Sequence, residues 1–218
     1  MSGHGIAART TGFAERGSVV SGAPASSMRL YGPDGGRKYL TAEERAAFLK
    51  AAERADREVR TFCGVLTYAG CRISEALALT ADRVDLVAGV LVFESLKKRK
   101  SGVYRAVPVP PALLDALDLV HGLRQAQRRA DGGRGARLWP WSRMTAWRRV
   151  AEVMAAAGID GAQASPKGLR HGFGVAAVSA GIPLNLAQRW LGHAQLSTTA
   201  IYAEAVGEEE KSIASRMW

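Results

Sequence analysis

The spacing of apolar residues changes type along this chain, and this change limits the folds that it can adopt. Apolar residues recur with helical spacing over residues 41–79 and again beyond residue 111. Between these stretches, short strands are predicted at residues 84–86, 90–93 and 104–108. The turns that join them, Ala88-Gly89 and the basic segment 97–102, are short enough that the strands must pair antiparallel. We therefore expect an α+β fold that is mainly α-helical, with helices around a small three-stranded antiparallel sheet.

Capping signals and glycines define the predicted helices. Thr41 followed by Glu44 forms a capping box, which places the first helix start at this point. Gly70 suits the left-handed position that ends the second helix. After the first helix, the sequence predicts helices at residues 58–69, 73–79, 112–129, 142–157, 166–180, 184–191, 197–205 and 208–217.

The first 37 residues have a different composition from the rest of the chain. They are rich in Gly, Ser and Ala, and they show no apolar periodicity. We expect residues 1–37 to form a flexible basic N-terminal arm, followed by one domain over residues 38–218. The basic residues of the arm either touch DNA phosphates or belong to a solvated tail with no role.

The charge of the chain indicates its class of partner. Thirty Lys and Arg against twenty Asp and Glu leave a net charge of +10, with a pI of about 10.1. Such a balance is typical of nucleic-acid-binding proteins, although an arginine-rich genome also produces it. No segment approaches the ~18 apolar residues of a membrane span, and the N-terminus lacks the apolar core of a signal peptide. We therefore expect a cytoplasmic, nucleoid-associated protein with no membrane partner.

The two cysteines agree with a reducing compartment. Cys63 and Cys71 are predicted on one helix, eight residues apart, which is about 12 Å along a helix axis. A disulfide cannot span that distance. We expect two reduced core residues and no metal site.

Two segments combine cationic side chains with helix starts. Arg72 lies where one predicted helix ends and another begins, and Glu75 follows one turn later, so the carboxylate can hold the guanidinium towards a phosphate. In Ser165-Pro166-Lys167-Gly168-Leu169-Arg170-His171, Lys167 and Arg170 share one face at a helix N-terminus, which attracts anions. Each pattern alone is also typical of surface residues or structural ion pairs. We expect His171 to pack in the core.

The most specific segment is Leu191-Gly192-His193, with Tyr202 nine residues after the histidine. A tyrosine hydroxyl is a weak nucleophile because its pKa lies near ~10. It becomes useful when cations surround an anionic target such as a phosphodiester. The chain supplies such cations in the two segments just described.

Taken in order, these segments and the lysine-rich turn resemble the catalytic domain of the tyrosine recombinases, also called the phage integrase family, over about residues 38–210. The resemblance implies that Arg72 and Arg170 hold the non-bridging oxygens of the scissile phosphate and that Glu75 orients Arg72. It implies further that His193 donates a hydrogen bond to the phosphate. Tyr202 would attack, giving a 3′-phosphotyrosyl link and a free 5′-hydroxyl. No cofactor, metal or ATP is implied.

The resemblance also implies a lysine general acid in the turn between the second and third strands. We choose Lys97, because it directly follows the strand, while Lys98 and Lys100 stay open as alternatives and otherwise as DNA contacts. Lys167 departs from the family pattern, which usually has histidine there. It can donate to a phosphate oxygen, and it can act as a base for Tyr202 if neighbouring arginines depress its pKa.

The expected partner is double-stranded DNA at specific recombination sites. Further DNA-contact candidates are basic side chains of the third strand and of helix 142–157, namely Arg105, Arg143, Arg148 and Arg149. We interpret Trp147 as a core or subunit-contact residue. Most family members carry a separate N-terminal DNA-binding domain, and we expect none in this sequence, which is either a single-domain recombinase or a fragment that lacks this domain. Assembly as a homotetramer on DNA through residues 208–217, or accessory DNA-binding proteins, would compensate.

The sequence therefore predicts a site-specific DNA recombinase or integrase. Two alternatives stay open. A type IB topoisomerase uses related chemistry to relax supercoils, and an accessory DNA-binding protein would keep only a vestigial site. The segment from Leu191 to Tyr202 matches the recombinase pattern closely, which favours the recombinase over the topoisomerase. The retention of Arg72, Arg170, His193 and Tyr202 argues against a vestigial site.

Overall fold

The computed structural model describes residues 1, 29–95, 102–129, 135–204 and 215. The helices are α1 (Ala42–Ala52), α2 (Arg57–Ala69), α3 (Ile73–Leu77), α4 (Pro111–His121), α5 (Leu123–Arg128), α6 (Arg143–Ala156), α7 (Pro166–Ser179), α8 (Leu184–Leu191) and α9 (Ser197–Ala200). Two 3₁₀ turns lie at Ala81–Arg83 and Ile201–Glu204, and the strands are β1 (Val84–Asp85), β2 (Val90–Glu94) and β3 (Tyr104–Pro108). No helix within these ranges is both long enough and apolar enough to cross a membrane.

The three strands form one antiparallel sheet in the order β1-β2-β3. Leu91 pairs with Val84 on one side and with Val107 on the other, and Phe93 pairs with Arg105. Side chains alternate along β3, so that Arg105 and Val107 are buried while their neighbours are exposed. The expectation of a mainly helical α+β fold with a small three-stranded sheet is confirmed.

The positions of the helices differ from the sequence prediction in several details. The single helix predicted at 112–129 is divided at Gly122, whose left-handed φ of 62° ends α4, while the carboxylate of Asp118 accepts from the backbone N of Arg124 and starts α5. The helix predicted at 197–205 is one turn of α9 followed by the 3₁₀ turn. Cys71 lies beyond the end of α2 and not on it, but both cysteines are free and buried as expected.

The buried apolar residues in the described part of the chain form two clusters. The larger one packs α1, α2, α4 and α6 against the sheet around fully buried aromatic residues such as Phe62 and Trp139, whose rings meet edge to face. The smaller one consists of Leu30, Val175, Leu191, Ile201 and Tyr202. The predicted nucleophile therefore belongs to a packed cluster, which limits its conformational freedom.

The described end of the predicted arm is folded onto the domain. Tyr31 pairs with Arg37 in an isolated β-bridge, and the backbone N of Lys38 donates to the carbonyl of Leu30 at 2.8 Å. Leu30 is buried against the cluster that contains Tyr202, and Arg37 pairs with Glu44 of the capping box. An apolar anchor and an ion pair thus hold residues 29–37, which we had expected to be flexible. Residues 2–28, and the predicted helix 208–217 except residue 215, lie outside the described residues.

Candidate active site

Arg72 is held at the junction of α2 and α3 by the carboxylate of Glu75. The backbone N of Arg72 donates to Glu75 Oε2 at 2.8 Å, and Arg72 Nη1 donates to Glu75 Oε1 at 2.8 Å. The Glu75 side chain is fully buried, whereas that of Arg72 is 28% exposed. Glu75 therefore holds the guanidinium on its buried side, and the exposed side can still bind a ligand, as the sequence predicts.

Arg105 occupies the other side of the same carboxylate, and this position contradicts our prediction of a DNA contact. Arg105 Nη2 lies 2.6 Å from Glu75 Oε2, and Arg105 Nε donates to the carbonyl of Trp190 at 2.7 Å. The side chain is only 6% exposed because β3 turns it into the domain. Burial opposes ionisation of Glu75, but hydrogen bonding and charge from Arg105, together with Arg72, outweigh it and lower the pKa of the carboxyl.

Helix α7 carries Lys167 and Arg170, and its start has the predicted capping. Ser165 Oγ accepts from the backbone N of Gly168 at 3.1 Å, and Pro166 occupies the first turn. Arg170 is buried and donates from Nη1 to the carbonyl of Gly70 at 2.8 Å and from Nη2 to that of Leu191 at 2.7 Å. It thereby joins the turn before Arg72 to the turn before His193. Burial and the charge of Arg72 lower the pKa of Arg170 to about 10.

His193 follows the end of α8 and lies between Thr199 and the tyrosine ring. Its Nδ1 is 2.9 Å from Thr199 Oγ1, and its ring stacks on that of Tyr202 with centroids 6.2 Å apart. Burial, followed by the charges of Arg170 and Arg72, lowers the pKa of His193 to about 3. The imidazole is therefore neutral near neutral pH.

Tyr202 is buried, and its hydroxyl meets a residue that sequence reasoning assigned only to the core. His171 Nδ1 lies 3.2 Å from Tyr202 Oη. Burial, with the charges of Lys167 and Arg170, lowers the pKa of His171 to about 4, so the ring is neutral, and in its Nε2–H tautomer Nδ1 accepts the hydroxyl hydrogen. Burial raises the pKa of Tyr202, although the arginines oppose this effect.

One sequence signal could have revealed this contact. Gly174 lies three residues after His171 on α7, and a Cβ at that position would lie 2.5 Å from Tyr202 Cζ. The glycine opens a gap on this helix face, and the tyrosine ring fills it. Residues three or four positions apart lie on the same helix face, so Gly174 and His171 share one face of α7. A glycine on that face indicates that another part of the chain packs closely against it.

Lys167 lies at the edge of the site with its side chain only partly shielded from water, and its pKa is lowered, which is the direction that its predicted role as a base requires. The cause differs from our expectation: burial contributes most, followed by the charge of Lys38, and not a cluster of arginines. Lys38 belongs to the folded segment 29–38, which therefore influences the site.

A cavity of about 370 Å³ brings the predicted catalytic residues together. It is lined by five of the six, namely Arg72, Lys167, Arg170, His193 and Tyr202, which come from four separate segments of the chain. His171 lines it as well. Their convergence makes this cavity the candidate active site.

Helix α6 forms part of the wall of this cavity. Arg143 and Trp147 line it, and Trp147 is 47% exposed, which contradicts the interpretation of this tryptophan as a core residue. Arg148 is exposed on the same helix. Arg149 instead pairs with Glu152 and lines a shallow depression beside Asp56. Of the three predicted DNA-contact arginines on α6, Arg143 is therefore the one that borders the described cavity.

The lysine-rich turn, with Lys97, Lys98 and Lys100, lies outside the described residues. Its two ends are joined by a hydrogen bond from the backbone N of Ser95 to the carbonyl of Val103 at 2.8 Å. Both residues line a second cavity of about 270 Å³, which His193 also borders. The turn therefore leaves and re-enters the described structure beside the candidate site.

Comparison with known sequences agrees with this arrangement. The model of the phage integrase family matches residues 38–209. The tyrosine recombinase XerD of Mycobacterium leprae is 34% identical over 184 residues, which are 76% of this chain and 56% of that protein. XerD of Mycobacterium tuberculosis (strain ATCC 25618 / H37Rv) is 37% identical over 152 residues, covering 66% and 46%. The chain thus spans about half the length of the curated relatives that it matches.

Solved structures show the same fold. The crystal structure of XerA recombinase superimposes with a TM-score of 0.67 at 25% identity and covers 82% of this chain and 64% of that one. The XerH site-specific recombinase bound to difH substrate gives a TM-score of 0.64 at 21% identity, covering 82% and 54%. Together with the family match over most of the sequence, these similarities establish that the chain belongs to the phage integrase family, the tyrosine recombinases.

Proposed function

We propose that this chain cleaves and rejoins DNA strands as a site-specific recombinase, through a 3′-phosphotyrosyl intermediate. The observation that carries the proposal is the cavity in which Arg72, Lys167, Arg170 and His193 surround Tyr202. A phosphodiester carries one negative charge, and its transition state carries more charge on the same oxygens. Donors placed beforehand around that position stabilise the charge where it develops.

Arg72 and Arg170 bind the non-bridging oxygens. Arg72 combines a guanidinium that Glu75 holds at 2.8 Å with exposure to the cavity. Arg170 uses two of its five N–H groups on backbone carbonyls, and among the described residues this leaves further N–H groups for a ligand in the cavity that it lines. Two guanidinium groups supported in this way require little reorganisation when DNA binds.

His193 donates a hydrogen bond to the phosphate, and this role requires one particular tautomer. A neutral imidazole has one N–H, so its Nε2 can donate only if Nδ1 accepts. Thr199 Oγ1 lies 2.9 Å from Nδ1, and in this tautomer its hydroxyl is the donor to Nδ1. We therefore include Thr199 in the proposed machinery as the hydrogen-bond partner of His193 Nδ1.

In the cleavage step, Tyr202 Oη attacks phosphorus. Its O–H bond breaks, the Oη–P bond forms and the bond from phosphorus to the 5′-oxygen breaks. A lysine of the turn 96–101, with Lys97 as the first choice, gives a proton to the 5′-oxygen. The phenolic proton leaves along the contact to His171 Nδ1 or is taken by Lys167, whose lowered pKa makes a neutral amine more accessible. Rejoining is the reverse, with a 5′-hydroxyl as nucleophile.

The partners follow from the same proposal. The substrate is double-stranded DNA at a specific site, contacted by Arg143 beside the cavity and by the basic turn with Lys98 and Lys100. One relative in structure is XerH bound to difH substrate, and another is a lambda integrase dimer bound to a core site. We propose a homotetramer on DNA, helped by accessory DNA-binding proteins, acting in the cytoplasm on nucleoid DNA. The domain arrangement that we propose is one catalytic domain over residues 38–218, with residues 29–37 folded onto it and the rest of the arm before them.

Covalent trapping on a nicked duplex tests the function. The duplex is chosen by binding from the DNA that flanks the gene, and the nick lets the short cleaved strand diffuse away, so that the intermediate accumulates. A protease-sensitive protein–DNA adduct that forms with the wild type and disappears with Tyr202→Phe supports the proposal. The Lys167→Ala variant then measures the contribution of that lysine. Binding without any adduct would favour the accessory DNA-binding protein.

A second assay separates recombinase from topoisomerase. A supercoiled plasmid without the selected site is incubated with the protein under the same conditions. Relaxation of this plasmid by the wild type, and not by Tyr202→Phe, would favour the topoisomerase. Strand exchange confined to plasmids that carry two copies of the site supports the recombinase.

A further inference from the structure

We propose that Arg105 is a positioning residue that sets Arg72 and the turn before His193 in their places around the phosphate. The inference rests on the proposed function, because it names the group that orders the proposed phosphate site. Arg105 itself lines the second cavity and not the one that Tyr202 occupies. It acts through the residues that it holds.

The first observation is that one buried carboxylate serves two arginines. Glu75 accepts from Arg105 Nη2 at 2.6 Å and Nη1 at 3.3 Å, and it accepts from the backbone and Nη1 of Arg72. Its side chain is fully buried, so its negative charge depends on these partners. Without Arg105, the Glu75 carboxylate would be paired with Arg72 alone. Its two oxygens would then no longer be held in place from both sides, and the guanidinium of Arg72 would lose its fixed orientation.

The second observation connects Arg105 to His193. Arg105 Nε donates to the carbonyl of Trp190 at 2.7 Å, close to the end of α8. A Cβ at Gly192 would lie 3.0 to 3.1 Å from the guanidinium atoms of Arg105, so this turn packs directly on that group. His193 is the next residue. The same planar group therefore lies between the support of Arg72 and the turn that carries His193.

The third observation concerns the geometry that these contacts require. Two donors of the Arg105 fork meet Glu75 while Nε points to Trp190, and the guanidinium lies 5.2 Å from the centroid of the Phe93 ring. A lysine ammonium is a point charge and cannot make these contacts simultaneously. Arg105→Lys thus keeps the charge and removes the geometry, which makes it the conservative test.

The experiment measures adduct formation in a single turnover on two nicked duplexes. One has a normal scissile phosphodiester, and the other has a methylphosphonate, in which a methyl group replaces one charged non-bridging oxygen. The methylphosphonate is neutral, so its transition state carries less negative charge for the arginines to stabilise. A misplaced Arg72 guanidinium should therefore slow cleavage of this duplex less than cleavage of the phosphodiester. Rates are expressed relative to the wild type on the same DNA, and Arg72→Ala provides the reference pattern.

We expect Arg105→Met to lose about 10²-fold in rate on the phosphodiester, as for the loss of one oxyanion donor. On the methylphosphonate the loss shrinks to less than about tenfold, as with Arg72→Ala. Arg105→Lys shows the same pattern with a smaller loss. The matched control is Arg83→Met, which removes another sheet-side arginine that pairs with a glutamate, Glu94, and lies 5.0 Å from an aromatic ring. It is expected to cleave both duplexes like the wild type.

Two results would overturn the inference. An equal loss on both duplexes would mean that Arg105 serves only the stability of the domain, and a wild-type rate on both would mean that it positions nothing. Thermal unfolding identifies a variant that fails to fold. If Arg105→Met fails to fold, the rates of Arg105→Lys on the phosphodiester and on the methylphosphonate provide the test instead. A wild type that forms no Tyr202-dependent adduct on either duplex would contradict the proposed function instead, so the two failures are distinguishable.

Discussion

His171 Nδ1 lies 3.2 Å from the hydroxyl oxygen of Tyr202, and both side chains are buried. A phenol attacks phosphorus only if its oxygen is oriented, and a hydrogen bond to a neutral imidazole orients it. The other ring nitrogen, Nε2, is buried and meets no hydrogen-bond partner among the described residues. With a neutral ring whose Nδ1 accepts, this Nε2 carries the hydrogen. In that tautomer, packing holds His171 with its one accepting nitrogen directed at the hydroxyl of Tyr202, the proposed nucleophile.

Loss of the His171 acceptor should slow cleavage by about 10²-fold, which is the cost of a misplaced reacting group. His171→Leu removes the acceptor, whereas His171→Asn places an amide oxygen near the position of Nδ1 and should recover much of the rate. Single-turnover adduct formation measures both variants.

A control tests whether His171 acts through the tyrosine. In a Tyr202→Phe background, peroxide can replace the phenol as the attacking group. His171→Leu should not slow this reaction further, because there is no longer a hydroxyl to orient. An additional tenfold loss would show that His171 supports the phosphate site and not the nucleophile.

Thr199 is expected to control the tautomer of His193. Thr199→Val keeps the shape of this fully buried side chain and removes the hydroxyl 2.9 Å from His193 Nδ1. The hydrogen then moves freely between the ring nitrogens, and the rate of adduct formation should fall by up to about 10²-fold. Thr199→Ser restores the hydroxyl and should restore the rate. Thr198→Val is the neighbouring control, and an equal effect of both valine variants would argue against the tautomer explanation.

The two buried histidines should make the fold sensitive to acid. The pKa of His171 is lowered to about 4 and that of His193 to about 3, from an ordinary value of 6.5. The unfolded chain therefore binds protons below about pH 6.5 that the folded chain does not bind, so the free energy of unfolding falls as the pH falls from 6.5 towards 4. Above pH 6.5 both states are neutral at these groups, and their contribution is constant.

Chemical denaturation between pH 4 and pH 7 measures this dependence. The His171→Asn and His193→Gln double variant should show a shallower fall than the wild type, because two groups that drive it are gone. Proton NMR of the imidazole rings gives an independent measurement. A folded-state pKa near 6.5 for either histidine would contradict the buried, neutral rings described above.

The α6 arginines should differ in their contribution to DNA binding. Arg143 lines the cavity, whereas Arg149 pairs with Glu152 beside Asp56. If Arg143 contacts a phosphate, Arg143→Ala should reduce the slope of log K against log salt by about 0.9, and Arg149→Ala should leave it unchanged. Fluorescence anisotropy over a series of salt concentrations measures both slopes. A larger change for Arg149→Ala would place the DNA on the other face of the helix.

Trp147 borders the same cavity and is expected to add a contact that depends little on salt. Trp147→Ala should weaken DNA binding by about tenfold, the value of one base or sugar stacking contact, without changing the salt slope. The Trp147→Phe variant, which keeps an aromatic face, should bind almost like the wild type. If the alanine variant binds normally, the tryptophan serves a protein contact, as we first interpreted it.

Local chemistry explains why much of the fold was predictable. The capping box at Thr41, the Ser165 cap and the turns between the strands involve residues only a few positions apart, so their hydrogen bonds can be inferred from the order of side chains. The pairing of Arg72 with Glu75 is of the same kind. The boundary errors at Gly122 and after Ala200 arose because a terminal hydrogen bond or packing decides where such a helix stops.

The sequence by itself determined the fold class, the order of the elements and five of the residues that line the cavity, because each depends on local spacing and on side-chain chemistry. The tertiary structure alone decided which neighbours these residues meet. His171 and Tyr202 are 31 residues apart, and Glu75 and Arg105 are 30 apart. Such contacts depend on how helices pack and which side chains lose water. Packing therefore buries Arg105, a predicted DNA contact, in an ion pair with Glu75, and it places the buried His171 against the hydroxyl of Tyr202.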